Sequence, residues 1–293
     1  MNLYYKKLFN KNKKQSVQIN SDNIPDKNLD FRKMKIGVCI KAKDEQKIIC
    51  DWVRYYLKLD FDKIIIYDNL SNPPIQETLS NNNLLDNKIE IIIDSYTKGL
   101  QTPLYENCIN NNKDLDWLLC CDTDEFLYIK NGNIKEFLSN FSDDTCTILI
   151  NWLVFGSSGN LTYDYNKTIF EQFTKRETYN NFWNIFVKSF IRPKLINNAL
   201  TNHIIYNENY KIKSVYNKEL KIEHNTKCDM IDYNLNDNTP VVLVHYMTLD
   251  IDHMLSKGVK YKKCHYIDKE STKYSLEWYS NTFKDHVEDL RMI

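Results

Sequence analysis

The strongest constraint on the fold is an alternation between residues 36 and 121: short apolar runs, each closed by polar or turn-forming residues, separated by stretches of helical spacing. Ile36-Gly37-Val38-Cys39-Ile40 reads as a buried strand. Asp44 is placed to cap a helix in which Ile49, Trp52, Val53, Tyr56 and Leu57 share one face. Lys63 to Tyr67 forms a second strand, closed by Asp68, Asn69, Ser71, Asn72, Pro73 and Pro74. Ile89 to Ile93 is a third. A helix follows with Pro103 in its first turn and Leu104, Cys108 and Ile109 facing inward. Trp117 to Cys121 is the fourth strand. Strands separated by helices in this way predict an α/β fold with right-handed crossovers and a mostly parallel central sheet flanked by helices. Ligands on such sheets bind beyond the carboxyl ends of the strands. Lys43-Asp44-Glu45, Asp68-Asn69, Asp94-Ser95 and Asp122-Thr123-Asp124 are therefore expected to share one crevice.

The rest of the chain is less regular. Residues 1–33 are polar, rich in Lys and Asn, and read as a flexible tail. Thr145 to Val154 reads as a strand leading into the turn Phe155-Gly156-Ser157-Ser158-Gly159, and Val187 to Arg192 and Val241 to His245 are further strands. Ser275 to Arg291 reads as a terminal helix. The expected division is a tail (1–33), a main domain (34–265) and a C-terminal helical extension (266–293). With 39 basic and 39 acidic side chains the net charge is zero, which argues against nucleic-acid binding through bulk electrostatics. The apolar runs fall far short of the roughly 20 residues of a membrane span. No apolar stretch near the N-terminus suits a signal peptide. The eight Cys lack metal-ligand spacing, and adjacent Cys120 and Cys121 point to opposite faces of a strand. A soluble, cytoplasmic protein with reduced thiols is the expectation.

The Asp122-Thr123-Asp124-Glu125-Phe126 segment carries the clearest chemistry. Two carboxylates at the end of an apolar strand can hold a hard cation such as Mn²⁺ or Mg²⁺ and share it with a diphosphate. Asp-x-Asp also occurs at Asp114-Leu115-Asp116 and Asp250-Ile251-Asp252; position after the strand WLLCC distinguishes the first. Asp68 ends the second strand and can accept from a base or ribose, or simply close a turn. His245 ends an apolar strand and is either a core histidine or a third metal ligand beside Asp124.

Taken together these residues resemble glycosyltransferase family 92 and related GT-A enzymes of the family 2 kind. The resemblance rests on Lys43-Asp44-Glu45, Asp51-Trp52, Tyr67-Asp68-Asn69-Leu70-Ser71, Gln101 and Tyr105, Asp122 to Phe126, Trp152 with Phe155 to Gly159, Lys188 to Pro193 with His203, and His245-Tyr246. They stand in the family's order across roughly residues 35–260. The resemblance implies a GT-A (Rossmann-like) fold with an irregular C-terminal acceptor-side half. It also implies a UDP-sugar donor, usually UDP-galactose, a divalent metal, inversion at the anomeric carbon, and a glycan or glycoprotein acceptor. Carried over by position, Asp68 contacts the uracil, Asp122 the ribose and Asp124 the metal, with His245 completing the metal shell and Asp122 close to it. Lys43, Glu45 and Gln101 fall on the donor side. Trp152, Phe155, Gly156, Ser157, Ser158, Arg192 and His203 fall on the sugar and acceptor side. Asp44 replaces the usual Asn, and Leu249-Asp250 replaces a usual Lys-Ser, with Lys257 as the substitute cation. The general base is expected after the glycine turn, Glu171 first and Asp164 second.

Two other readings compete. A haloacid-dehalogenase-like phosphohydrolase also uses Asp-x-Asp, but after the first strand and with a small residue where Phe126 stands. A non-catalytic nucleotide-sugar-binding module on the same scaffold is the other.

Overall fold

The computed structural model describes residues 31–95, 100–197, 201–222, 231, 234–257, 275–284 and 287–293. Of the expected tail, Phe31–Lys33 is among them, as one 3-10 turn. β1 (Ile36–Ala42), β2 (Lys63–Asp68), β3 (Ile89–Ile93) and β4 (Trp117–Cys120) are the strands expected from the apolar runs. β1 pairs in parallel with β2 and β4, and β2 in parallel with β3, giving the order 3-2-1-4. β1, β2 and β4 are buried over nearly their whole length, as strands covered on both faces must be. The helix Ile49–Lys58 packs Trp52, Val53 and Tyr56 into one layer, and the helix Thr102–Asn111 packs Leu104, Tyr105, Cys108 and Ile109 into the other. Cys121 belongs to the first layer and Cys120 to the second, both as free thiols.

The first helix begins later than its sequence suggests. Its N-cap is Ile48, not Asp44. Asp44 instead takes a left-handed φ of 58°, tolerated by a short polar side chain. Its Oδ1 accepts from the Asn72 amide at 3.1 Å, and its own amide donates to Ser71 Oγ at 2.9 Å. The first βα loop is thereby tied to the loop after β2.

After Cys120 the chain turns through Asp122-Thr123-Asp124 and re-enters the sheet as β5 (Glu125–Ile129), a strand not among those expected from the sequence. β6 (Thr145–Val154), β7 (Lys175–Arg176), β8 (Val187–Ile191), β9 (Lys211–Ser214), β10 (Glu219–Leu220) and β11 (Val241–His245) follow. β8 runs antiparallel between β4 and β6. β11 inserts parallel to β6 and antiparallel to β5. The central sheet is thus parallel through its first half and mixed through its second, flanked by helices, the arrangement the GT-A resemblance implies.

The terminal helix expected to reach Arg291 stops at Thr282. The chain then forms β12 (Val287–Glu288), antiparallel to β7. Asp289 explains the return: it pairs with both Arg176 and Arg291. The expected 265/266 boundary lies outside the described residues. Among the described residues, no helix is long and apolar enough to cross a membrane.

Candidate active site

The turn between β4 and β5 is held from both sides of the sheet. Trp52 Nε1 and the Tyr56 hydroxyl each donate to the Glu125 carbonyl at 3.2 Å. From the opposite layer, the Tyr105 hydroxyl donates to the Cys121 carbonyl at 3.0 Å. Within the turn, the Asp122 amide donates to Glu125 Oε2 at 2.9 Å. Glu125 was without a role in the sequence; its side chain sits beneath the turn, fully buried, and shapes it.

The two aspartates of the turn face different partners. Asp122 accepts from Gln101 Nε2 at 2.6 Å on one oxygen and from Lys188 Nζ at 2.9 Å on the other. Gln101 in turn accepts from Asn202 Nδ2 at 2.5 Å. Asp124 faces His245, with Nε2 3.4 Å from Oδ1, and accepts from Lys257 Nζ at 3.0 Å on Oδ2. β11 delivers the histidine: His245 lies opposite Glu125 and beside Val154, and the Tyr246 amide donates to the Asp124 carbonyl at 2.9 Å.

These environments set the charges. Burial pushes the Asp124 carboxyl up, but Lys257 and His245 outweigh it and hold it far below the ordinary carboxylate range. Burial likewise opposes ionisation of Asp122, and Lys188 reverses it. Lys188 is itself fully buried; Asp122 and Glu125 overcome its desolvation and keep it charged, above the ordinary lysine value. For Glu125 burial wins, leaving its carboxyl well above the usual range.

Beside the acidic turn lies an aromatic wall. Trp152 on β6 packs against His245 at 4.3 Å between ring centroids, against His203 at 5.4 Å and against Phe186 at 5.3 Å. His203 Nδ1 lies 3.0 Å from the Val187 carbonyl. Burial and the nearby Lys188 push His203 down to about 3, so the ring is neutral. Turn and wall enclose a cavity of ≈ 490 Å³, lined by Lys41, Glu45, Gln101, Asp122, Thr123, Asp124, Trp152, Asn202, His203, His245 and Lys257. A second cavity, of ≈ 470 Å³, shares Glu45 and Lys257 with it and is completed by Lys43, Asp44, Gln46, Lys47, Tyr165, His253 and Ser256.

Of the sequence candidates, Glu45, Gln101, Asp122, Asp124, Trp152, His203, His245 and Lys257 thus meet in one cavity. The others lie elsewhere. Both Asp68 oxygens accept backbone amides, Ser71 at 2.8 Å and Ile75 at 2.9 Å, so this carboxylate closes the turn after β2. Lys43 donates to the Leu70 carbonyl and lines the second cavity. Arg192 stacks on Trp117 at 4.2 Å and donates to the carbonyls of Thr145 and Phe141, a core role. Phe155 is buried against Tyr246, Gly156 donates its amide to the Lys175 carbonyl, and Ser158 Oγ accepts from the Lys175 amide. Ser157 bonds the Tyr279 hydroxyl of the C-terminal helix at 2.8 Å. Neither base candidate lines the main cavity: Glu171 closes a capping box with Thr168, and Asp164 caps the Asn166 amide. Asp250, noted as a departure, is buried and pairs with Lys47 at 3.2 Å.

The sequence reading missed Lys41 and Asn202, and gave Lys188 no role. Lys188 had a signal: a lysine inside the apolar strand Val187–Ile191 needs a counter-charge once buried. Asn202 and Lys41 had none.

A model of glycosyltransferase family 92 matches residues 34–276. A glycosyltransferase family 92 protein of Ricinus communis is 23% identical over 210 residues, which are 66% of this chain and 35% of that protein. One of Oryza sativa subsp. japonica is 22% identical over 106 residues, 36% of this chain and 18% of that protein. The chain therefore spans a minor part of the length of either. Among solved structures, S. aureus TarS 1–349 gives a TM-score of 0.39 at 14% identity, covering 80% of this chain and 67% of that one. GalNAc-T7 with UDP, GalNAc and Mn²⁺ gives 0.42 at 12%, covering 91% and 56%. Both likenesses are remote. The family match spans the turn, the wall and the strand that carries His245: the chain belongs to glycosyltransferase family 92.

Proposed function

We propose that this domain is a metal-dependent, inverting glycosyltransferase that moves a hexosyl group, galactose first, from a UDP-sugar to a hydroxyl of a glycan or glycosylated protein. The observation that carries the proposal is the division of labour at the turn. Asp122 is bound to Lys188 and Gln101, whereas Asp124 meets His245 and Lys257, in one cavity. Asp122 and Gln101 then serve the nucleotide, and Asp124 and His245 the diphosphate end.

The fit of a metal can be judged from the donors. Asp124 and His245 offer a carboxylate oxygen and an imidazole nitrogen 3.4 Å apart. Among the described residues, no third His, Cys, Asp or Glu completes a cluster. A two-donor seat suits Mn²⁺ or Mg²⁺, which take their remaining ligands from phosphate oxygens and water. Such an ion would neutralise the charge growing on the departing diphosphate. Lys257 and the half-buried Lys41 add positive charge on the same cavity.

Inversion by one in-line displacement needs a base for the acceptor hydroxyl. Asp122 and Asp124 are held low by their lysine partners and are poor bases. Glu45 lines both cavities, so a hydroxyl entering from the second meets it beside the first. We assign the base to Glu45.

Calorimetry with UDP, with and without Mn²⁺, and UDP release from UDP-galactose test the reading. Mn²⁺-dependent UDP binding is expected, weakened more than about 10-fold in Asp124→Ala. Phosphate-ester hydrolysis without UDP-sugar binding would refute it. UDP binding with no turnover across a broad acceptor panel would make the domain a binding module instead.

A further inference from the structure

β1 is buried at every position but Lys41. Alternation puts Lys41 on the face of Cys39, toward the layer that holds Leu104 and Tyr105. Cys39 lies opposite Cys120 in the parallel pairing with β4, so Lys41, two residues on, comes level with Asp122. On its other side it lies beside Tyr67 of β2. Its side chain is half-buried and lines the main cavity.

This lysine differs from the others around the acidic turn. Lys188 meets Asp122 at 2.9 Å and Lys257 meets Asp124 at 3.0 Å. Among the described residues Lys41 has neither a hydrogen-bond acceptor nor an ion-pair partner. Its ammonium is not sealed within the fold either. Asp94 and Asp122 attract it from further off and Lys43 repels it; burial outweighs the attraction and draws it below the ordinary lysine value. A half-buried ammonium without a partner is costly to the fold, and one kept on a cavity wall at that cost calls for an anion from outside.

Its place selects the anion. Lys257 is bonded to Asp124, where the proposed function puts the distal end of the diphosphate. Lys41 is level with Asp122, where the same reading puts the nucleoside. The group that lies between them in a nucleotide-sugar is the first phosphate, which is anionic and only accepts. A neutral sugar hydroxyl would leave the charge uncompensated.

We propose that Lys41 holds the phosphate attached to the nucleoside of the donor, through a charge-assisted hydrogen bond from Nζ. This rests on the proposed function, and adds to it the residue by which the domain tells a nucleotide from a nucleoside.

Lys41→Met removes the charge and keeps most of the volume, whereas Lys41→Arg keeps the charge. Calorimetry with uridine, UMP, UDP and UDP-galactose, in the presence of Mn²⁺, compares both variants with the unmodified protein, and urea unfolding is followed alongside. The unmodified protein should bind UMP at least about 10-fold more tightly than uridine. Lys41→Met should lose about 10- to 100-fold for UMP and UDP alike with uridine unchanged, and Lys41→Arg should lose less. Because the lysine leaves no partner behind, the urea midpoint of Lys41→Met should stay level or rise. A lowered midpoint or a failure to fold would make the lysine structural and overturn the proposal. UMP bound no better than uridine, or UMP affinity unchanged in Lys41→Met, would overturn it while UDP binding leaves the transferase reading in place. A loss confined to UDP-galactose would also overturn it, by moving the lysine to the sugar. Absence of UDP binding by the unmodified protein would remove the proposed function and this inference with it.

Discussion

Lys188→Met removes the charge beneath the Asp122 turn while keeping most of the side chain's volume, and its cost can be worked from the geometry. Lys188 Nζ lies 2.9 Å from Asp122 Oδ2 and 3.9 Å from Glu125 Oε1, with its own side chain 0% exposed. Breaking a buried pair from one side typically costs 3–5 kcal/mol, because the remaining charge is left uncompensated. Asp122 is 29% exposed and keeps its bond from Gln101, and Glu125 is already held toward the neutral form. The lower end applies, about 3 kcal/mol. With a urea m-value of about 2–3 kcal/mol/M, the unfolding midpoint should fall by about 1–1.5 M at pH 7.5. The pH dependence has a fixed sign. In the unmodified protein Asp122 is depressed, so its contribution is complete above the ordinary aspartate value and is lost only as pH falls through the lower folded value. Without Lys188 the folded carboxyl rises above its unfolded value, and the variant recovers stability by taking up a proton as pH falls from neutral. The gap between the two proteins should therefore narrow by about pH 5. A midpoint shift below about 0.3 M, or a gap equally wide at both pH values, would refute a buried, charged Lys188–Asp122 pair.

Glu125→Gln should cost less than about 1 kcal/mol, since the amide oxygen can still accept from the Asp122 amide and burial already raises the carboxyl it replaces well above the usual range. Because that carboxyl is raised, it favours the fold below its ordinary value and loses this as pH rises; the variant's urea midpoint should fall less than the unmodified protein's between about pH 5 and 8. Arg192→Ala should lower stability by about 2–4 kcal/mol through lost packing on Trp117 and two orphaned carbonyls, with donor KM unchanged, as denaturation and initial rates would report. Glu45→Gln should depress kcat by at least about 100-fold with UDP affinity retained, whereas Glu171→Ala and Asp164→Ala should leave turnover unchanged; loss of transfer in Glu171→Ala would return the base to that residue.

The first four strands were legible because each is a local matter: an apolar run, a stop and a helical stripe can be read within about fifteen residues. From local pattern alone the site was legible only where its residues lie just after those strands; Trp152, His203 and His245 came from the family resemblance. His245 reaches Asp124 through the pairing of β11 with β5, between segments more than a hundred residues apart. Nothing local specifies such a register. For the misplaced candidates the local signals point away from the site. Thr168-Ile169-Phe170-Glu171 spells a capping box, which already occupies the carboxylate chosen as base. Asp68 stands at the start of a turn rich in Ser, Asn and Pro, where an aspartate finds backbone amides before it finds a ligand. The more telling sign was charge in the wrong place. Lys188 interrupts an apolar strand, and a charge that cannot reach water must have a partner. Following that buried charge to its nearest carboxylate leads from Lys188 to Asp122, in the turn on which the chemistry is proposed to rest.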